Sequence, residues 1–177
     1  MKIYVVRHGQ TEWNLESRIQ GSEDIDLTDA GRAEAYELKN LIADIDIDVV
    51  FTSPLVRARE TAEILANDNL LIMVDERLTE RSWGDNEGKL LSQVDTSDCW
   101  DVNLNMDDNN IERIQDFMSR ISEFIEDIKI KYHGKNVLIV AHSAIVRAIH
   151  YLLGRIPEDM NLSRINIPNL RIIEYEL

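Results

Sequence analysis

The chain has 177 residues, of which 44% are hydrophobic and 29% are charged, a composition typical of a soluble globular protein. A chain of this length buries enough surface to fold without disulfides, so we expect a single domain over residues 1–177. Its formal net charge of −14, with no basic stripe in the sequence, argues against a nucleic-acid partner and disfavours anionic membranes. The single cysteine excludes a disulfide framework, and no apolar run is long enough to cross a bilayer, so we expect a cytoplasmic protein.

The first half of the chain alternates between predicted strands and helices. A strand over residues 2–6 leads into a polar loop, and a helix follows over about residues 29–43 with Thr28 as its N-cap. The residues expected on the buried side of this helix are Ala33, Leu38, Leu41 and Ile42. A strand over residues 49–51, a helix over about 55–66 and a short strand over 70–74 come next.

The second half begins with a polar and acidic stretch, residues 80–110, that has no clear period and is predicted to be a loop or lid. Apolar residues then recur three and four positions apart from Ile111 to Ile128, which predicts an amphipathic helix ending near Gly134. A strand over 137–141, a helix over about 144–153 and a strand over 171–175 complete the chain. Strands that alternate with helices predict an α/β sandwich around a largely parallel sheet.

Three predicted strands end in side chains that suit a phosphate. Arg7 and His8 follow the first strand, Arg57 lies shortly after the second, and His142 follows the strand over 137–141. Ligands of open α/β sheets bind beyond the carboxyl ends of the strands. Guanidinium groups match phosphate oxygens two at a time, and a neutral imidazole can attack phosphorus. The sequence therefore predicts a local cationic phosphate site within an acidic protein.

A larger set of motifs closely resembles the histidine phosphatase superfamily, the phosphoglycerate mutase-like group. The matching elements are Arg7-His8-Gly9, Thr11, Asn14, Gln20-Gly21, Leu27-Thr28, Thr52-Ser53-Pro54-Leu55, Arg57-Ala58, Glu60-Thr61-Ala62, Glu80, Gly84-Asp85, Glu87-Gly88 and Ala141-His142. They occur in the family's order over nearly the whole chain. The resemblance implies a phosphoglycerate mutase-like three-layer sandwich, in which helices flank a mostly parallel mixed sheet.

The resemblance also implies a phosphohistidine mechanism that needs no metal and no other cofactor. His8 matches the family's nucleophile, and Glu80 matches its general acid, which protonates the departing alkoxide. His142 resembles the second histidine, which is hydrogen-bonded to the phosphoryl group and stabilises the transition state. Taken alone, a histidine at a strand end is more often structural, and a glutamate in so acidic a stretch is more often simply solvated.

The same resemblance assigns the side chains that hold the phosphate. Arg7 and Arg57 correspond to a clamp on its oxygens, and Asn14 is expected to line the pocket. Ser143 stands where most relatives have glycine, so it either adds a hydrogen bond or crowds the pocket if the backbone needs a positive φ. For Arg147, an ion pair with a surface acid is favoured over a place in the site.

The expected function is that of a histidine acid phosphatase-like phosphomonoesterase acting on a small phosphorylated metabolite. Mutases of the family carry longer insertions between the positions of Glu80 and His142, which favours a phosphatase here. Phosphoglycerate mutase activity and a weakly catalytic phosphoester-binding regulatory protein remain alternatives. A zinc site made of His8, His142 and Glu80 is disfavoured, because arginines in the pocket repel a dication. The sequence indicates neither the physiological substrate nor an oligomeric state.

Overall fold

One five-stranded sheet organises the computed structural model, which describes residues 1–66, 70–154 and 160–177. The strands are β1 (Lys2–Arg7), β2 (Val49–Thr52), β3 (Leu71–Val74), β4 (Val137–Ala141) and β5 (Ile172–Glu176). Their order in the sheet is β3-β2-β4-β1-β5. Every neighbouring pair is parallel except β1 and β5, which are antiparallel. The predicted mostly parallel mixed sheet is confirmed.

Four of the helices were predicted and one was not. The helices are α1 (Glu12–Leu15), α2 (Asp29–Leu41), α3 (Val56–Leu65), α4 (Ile114–Lys131) and α5 (Ser143–Leu152). Thr28 caps α2 as predicted, because its hydroxyl accepts a 2.9 Å hydrogen bond from the amide of Gly31. The single-turn helix α1 was missed because four residues are too few to show a helical spacing of apolar residues. Among the described residues, no helix is long and apolar enough to cross a membrane.

Two apolar cores, one on each face of the sheet, give the predicted three layers. Alternate strand residues such as Val5 and Ile139 pack with apolar residues of α4 and α5 on one face. The intervening residues, such as Val6 and Leu138, pack with α2 and α3 on the other. The central strands β1 and β4 are therefore buried on both faces, which explains why their sequences are continuously apolar.

One detail of the predicted packing is wrong. In α2 the buried apolar residues are Ala35, Leu38 and Ile42 at its end, whereas Ala33 and Leu41 face solvent, Leu41 with 81% of its surface exposed. The stretch from 80 to 110 is irregular, as predicted, but part of it is buried. Short 3-10 turns interrupt this stretch, and the rings of Trp83 and Trp100 are buried with their centroids 5.5 Å apart.

The sheet order brings the predicted site residues to one edge. β2, β4 and β1 are neighbours and run parallel, so their carboxyl ends lie side by side. The amide of His8 donates to the carbonyl oxygen of Ala141 at 2.9 Å, and the amide of Ser53 donates to that of Val140 at 3.4 Å. The three strand ends are thus joined directly through their backbones.

Candidate active site

Two histidines from distant parts of the chain meet at this edge. His8 follows β1 and His142 follows β4, and their ring centroids are 5.2 Å apart with an angle of 60° between the ring planes. Both side chains are buried, His8 with 3% and His142 with 0% of its surface exposed. The structure therefore brings together the two imidazoles that the sequence predicts to share a site.

The hydrogen bond of His8 determines which ring nitrogen is free to react. Its Nδ1 lies 2.7 Å from the carbonyl oxygen of Gly9, and because a carbonyl can only accept, Nδ1 carries the proton. Burial lowers the pKa of His8 well below its ordinary value, and the nearby charges of Arg57 and Arg7 lower it further. The neutral ring keeps an unprotonated Nε2, which is the nucleophilic atom.

His142 is held by a serine that sequence reasoning did not assign a role. Its Nε2 lies 2.7 Å from the Ser53 hydroxyl, whose oxygen already accepts from the amide of Leu55 at 3.2 Å. Burial lowers the pKa of His142 well below the usual histidine value, and the charge of Arg57 lowers it further. The hydroxyl proton of Ser53 can therefore point at Nε2, which makes Nδ1 of His142 a donor. That nitrogen is buried and has no hydrogen-bond partner among the described residues.

Two arginines, Arg57 buried and Arg7 half-buried, stand beside the histidines with their side chains fixed by backbone carbonyls. Arg57 in α3 is fully buried and donates to the carbonyl oxygens of Glu23 at 2.6 Å and Gly21 at 2.8 Å. Burial lowers its pKa to about 10, so it remains a cation at neutral pH. Arg7 donates to the carbonyl oxygen of Ile167 at 2.7 Å. Neither guanidinium forms an ion pair among the residues described, which leaves its charge available for an anion.

Glu80, the first residue of the irregular stretch 80–110, lines the same cleft as His8 and the two arginines. Its Oε1 accepts from the amide of Arg81 at 3.0 Å, and its Oε2 accepts from the amide of Ala144 at 3.3 Å. Burial raises the pKa of the Glu80 carboxyl, although the two amides and the charges of Arg57 and Arg7 oppose the shift. Glu80 therefore retains a proton to higher pH than an exposed glutamate, which suits a general acid.

Asn14 and Ser143 both line the cleft in front of the histidines. The Oδ1 of Asn14 accepts from the amide and hydroxyl of Thr11, each at 3.1 Å, and from Nδ2 of Asn169 at 3.3 Å. The Nδ2 group of Asn14, which carries two hydrogens, can donate to an anion. Ser143 is the first residue of α5, and it is not among the residues of positive φ. The backbone there therefore needs no glycine, and the serine is accommodated without strain.

The cleft itself has a volume of about 470 Å³, within the range of small-molecule sites. Arg7, His8, Arg57 and Glu80 line it, and His142 packs against His8 rather than contributing to the lining. Arg147 also lines the cleft, and it forms no surface ion pair among the described residues, so the favoured prediction for it is wrong. The signal in the sequence was its position one turn into the helix that Ser143 begins.

The structure offers no support for the alternative zinc site. In the ranges 1–66, 70–154 and 160–177, no group of three or more His, Cys, Asp or Glu side chains is arranged to hold a metal ion. His8 and His142 use one ring nitrogen each for Gly9 and Ser53, and two arginines lie next to them. The donor set is suited to an anion.

Known proteins resemble this chain over nearly its full length. A putative phosphoserine phosphatase 2 of Hydrogenobacter thermophilus is 36% identical over 186 residues, 99% of this chain and 89% of that protein. A 2,3-bisphosphoglycerate-dependent phosphoglycerate mutase 2 of Gloeobacter violaceus is 34% identical over 159 residues, 83% of this chain and 73% of the mutase. The structure of YhfR from Bacillus stearothermophilus superimposes with a TM-score of 0.87 at 31% identity, covering 99% and 91% of the two chains.

The family model of the histidine phosphatase superfamily (branch 1) matches residues 3–177. This match includes every residue of the cleft described above, from the paired histidines to Glu80 and the arginines. Together with relatives more than 30% identical over most of their length, it shows that the chain belongs to the histidine phosphatase superfamily.

Proposed function

We propose that the protein hydrolyses small phosphomonoesters through a phosphohistidine at Nε2 of His8. In the first step Nε2 attacks phosphorus and the P–O bond to the substrate breaks, while Glu80 gives its proton to the departing alkoxide. In the second step water attacks the phosphohistidine, the carboxylate of Glu80 takes the water proton, and inorganic phosphate leaves. The observation that carries this proposal is the contact of His8 Nδ1 with the Gly9 carbonyl, which leaves Nε2 unprotonated, beside two arginines that form no ion pair among the described residues.

Each remaining residue receives a role from its contacts. Arg7 and Arg57 neutralise the oxygens of the phosphoryl group, and their fixed positions mean that little reorganisation is needed when charge develops. The Nδ1–H of His142 would donate to one of these oxygens beside His8. Asn14 and Ser143 supply further donors on the cleft wall. This local cluster of positive charge opposes the net charge of −14, so the capture of substrate should depend on salt.

The decisive experiment tests for the covalent intermediate. The protein is incubated briefly with ³²P-labelled substrate from a panel of phosphomonoesters and then quenched. We expect protein-bound label that is stable in base and labile in acid, and release of inorganic phosphate over longer times. The His8→Ala variant should carry no label and release no phosphate. Normal turnover by that variant would overturn the assignment of the nucleophile, and a wild type that binds phosphate without label or turnover would be a phosphoester-binding protein instead.

Mutase activity is the second candidate, because a phosphoglycerate mutase is among the relatives. It differs in the second step, where an alcohol rather than water accepts the phosphoryl group. Incubation with 3-phosphoglycerate separates the two: a phosphatase releases inorganic phosphate, whereas a mutase interconverts the 2- and 3-phosphates without release. We favour the phosphatase, and we propose that the chain acts as a single domain. The cytoplasmic location and the absence of a nucleic-acid partner stay predictions.

A further inference from the structure

Arg147 is a cation in the cleft that the proposed reaction does not use. Its Nε donates to the carbonyl oxygen of Ile165 at 3.0 Å, and its guanidinium carbon lies 4.6 Å from the ring centroid of Trp100. The cation is thus stacked on an aromatic face and held by one edge. No ion pair or other hydrogen bond of Arg147 exists in the part of the chain that the structure describes. Its two terminal nitrogens are therefore free for a ligand.

The charges of the cleft leave the Arg147 cation without an anionic partner. A phosphomonoester brings a charge of about −1.5 to −2 at neutral pH, which Arg7 and Arg57 balance. Glu80 is neutral when it is ready to act as an acid, so it does not compensate Arg147 in the reacting complex. Arg18, the other arginine at the cleft, already contacts the carboxylate of Glu16 at 2.5 Å. A substrate that carries one negative charge in addition to its phosphate would neutralise Arg147.

The position of Arg147 determines where that charge must lie. Ser143 and Arg147 are four residues apart on α5, so they lie on the same face and about 6 Å from each other. The amide of Ala144 at the start of α5 donates to the carboxyl of Glu80, the proposed acid for the ester oxygen, and Arg147 follows about one helical turn further along α5. The buried rings of Trp83 and Trp100 line the same cleft and limit the size of the group that fits between. The anion must therefore be close to the phosphate.

The free edge of Arg147 also indicates the kind of anion. With Nε used by Ile165, the two terminal nitrogens present one planar pair of donors, which matches the two oxygens of a carboxylate. A second phosphate would bring more charge than one guanidinium balances. We infer that Arg147 binds a carboxylate of the substrate, so that the substrate is a short phosphorylated hydroxy acid. This inference rests on the proposed phosphatase function and adds the substrate class.

A pair of substrates that differ only in the carboxylate tests the inference. O-Phosphoserine and O-phosphoethanolamine share the ester and the amine, and kcat/KM is measured for both with the wild type and with Arg147→Met. One charge-assisted contact corresponds to a preference of about tenfold to about 150-fold. We expect the wild type to prefer phosphoserine within that range and Arg147→Met to lose the preference, mainly through slower turnover of phosphoserine. Arg147→Lys should keep part of it.

Matched controls separate failure of this inference from failure of the phosphatase proposal. Arg113→Met removes one exposed arginine outside the cleft, and it should keep the preference. A wild type that hydrolyses both substrates equally, or an Arg147→Met variant that slows both equally, would overturn the carboxylate site while leaving the phosphatase intact. An Arg147-dependent preference for fructose 1,6-bisphosphate over fructose 6-phosphate would overturn it in favour of a second phosphate. Absence of turnover with every phosphomonoester would instead refute the proposed function. In that case, the affinity of His8→Ala for the two compounds still tests Arg147.

Discussion

Asn169 donates through Nδ2 to the backbone carbonyl of His8 at 2.8 Å, although the two residues are 161 positions apart in the chain. The same nitrogen lies 3.2 Å from the carbonyl oxygen of Gly9, which accepts the proton of His8 Nδ1. Asn169 therefore holds the carbonyl that determines the tautomer of the nucleophile. It is a positioning residue, since it contacts the backbone around His8 and the side chain of Asn14 rather than the reacting atoms.

Replacing Asn169 by alanine should lower kcat by about tenfold to a hundredfold, the range seen when groups that orient reactive ligands are removed. KM should change much less, because the arginines that hold the phosphate are untouched. Asn166→Ala is the control, since Asn166 is exposed in the same segment. The measurement is steady-state release of phosphate. A variant with unchanged kcat, or one that lost activity only through unfolding at the assay temperature, would contradict the positioning role.

The general acid can be tested by varying the leaving group. Glu80→Gln should lower kcat/KM for an alkyl phosphate by about a hundredfold to ten-thousandfold, because the alkoxide then leaves without a proton. The loss should be much smaller for p-nitrophenyl phosphate, whose phenolate leaves unaided. Because burial raises the pKa of Glu80, the wild type should stay active above the usual glutamate range and lose activity as pH rises through the raised value.

Two controls accompany that experiment. Glu76→Gln removes one exposed carboxylate from a nearby turn, so it should behave as the wild type toward both esters. The alkaline limb of the pH profile should disappear in Glu80→Gln. Equal losses for the alkyl and the aryl ester would assign Glu80 to binding or folding rather than to proton transfer.

Ser53 is predicted to orient His142. Ser53→Ala leaves Nε2 of His142 buried without its 2.7 Å partner, so the free energy of unfolding should fall by about 1 to 3 kcal/mol. The rate of phosphohistidine formation should fall as well, because the ring is then free to adopt the other tautomer. Rapid-quench labelling and urea unfolding measure the two effects. Ser119→Ala, at an exposed position of α4, should change neither. Faster or unchanged labelling in Ser53→Ala would refute the orienting role.

The parts of this site that were predictable from the sequence share a physical reason. Arg7 is the last residue of β1, His8 and His142 directly follow continuous apolar strands, and parallel strands bring such ends to one edge. Glu80 lies in a polar stretch without a period, so only the resemblance to a family identified it as a candidate. The boundaries of the strands and longer helices followed from apolar spacing and from caps such as Thr28.

The parts that were missed depend on contacts between residues far apart in the chain. Asn169 reaches His8 only because β5 returns antiparallel to β1, and a turn with Leu170 at φ 54° precedes that strand. Arg147 enters the cleft because Trp100 lies under its guanidinium, 47 residues earlier in a stretch predicted as a loop. Local spacing carries no information about such pairs. Leu41 of α2 was predicted to be buried but is exposed, so local spacing also did not identify the buried side within one helix turn.

The two buried histidines should make the free energy of unfolding depend on pH. The pKa values of His8 and His142 are lowered in the folded protein, mainly by burial, whereas in the unfolded chain they return to about 6.5. Below pH 6.5 the unfolded chain therefore binds more protons than the folded one, and the free energy of unfolding falls as pH decreases. Each neutral buried histidine contributes a slope approaching about 1.4 kcal/mol per pH unit. Urea unfolding at pH 6 and pH 5 should show this loss, and it should be about 1 kcal/mol smaller in His8→Ala. Identical pH dependence in the wild type and in His8→Ala would mean that folding leaves the pKa of His8 unchanged, which would contradict a ring kept neutral by burial.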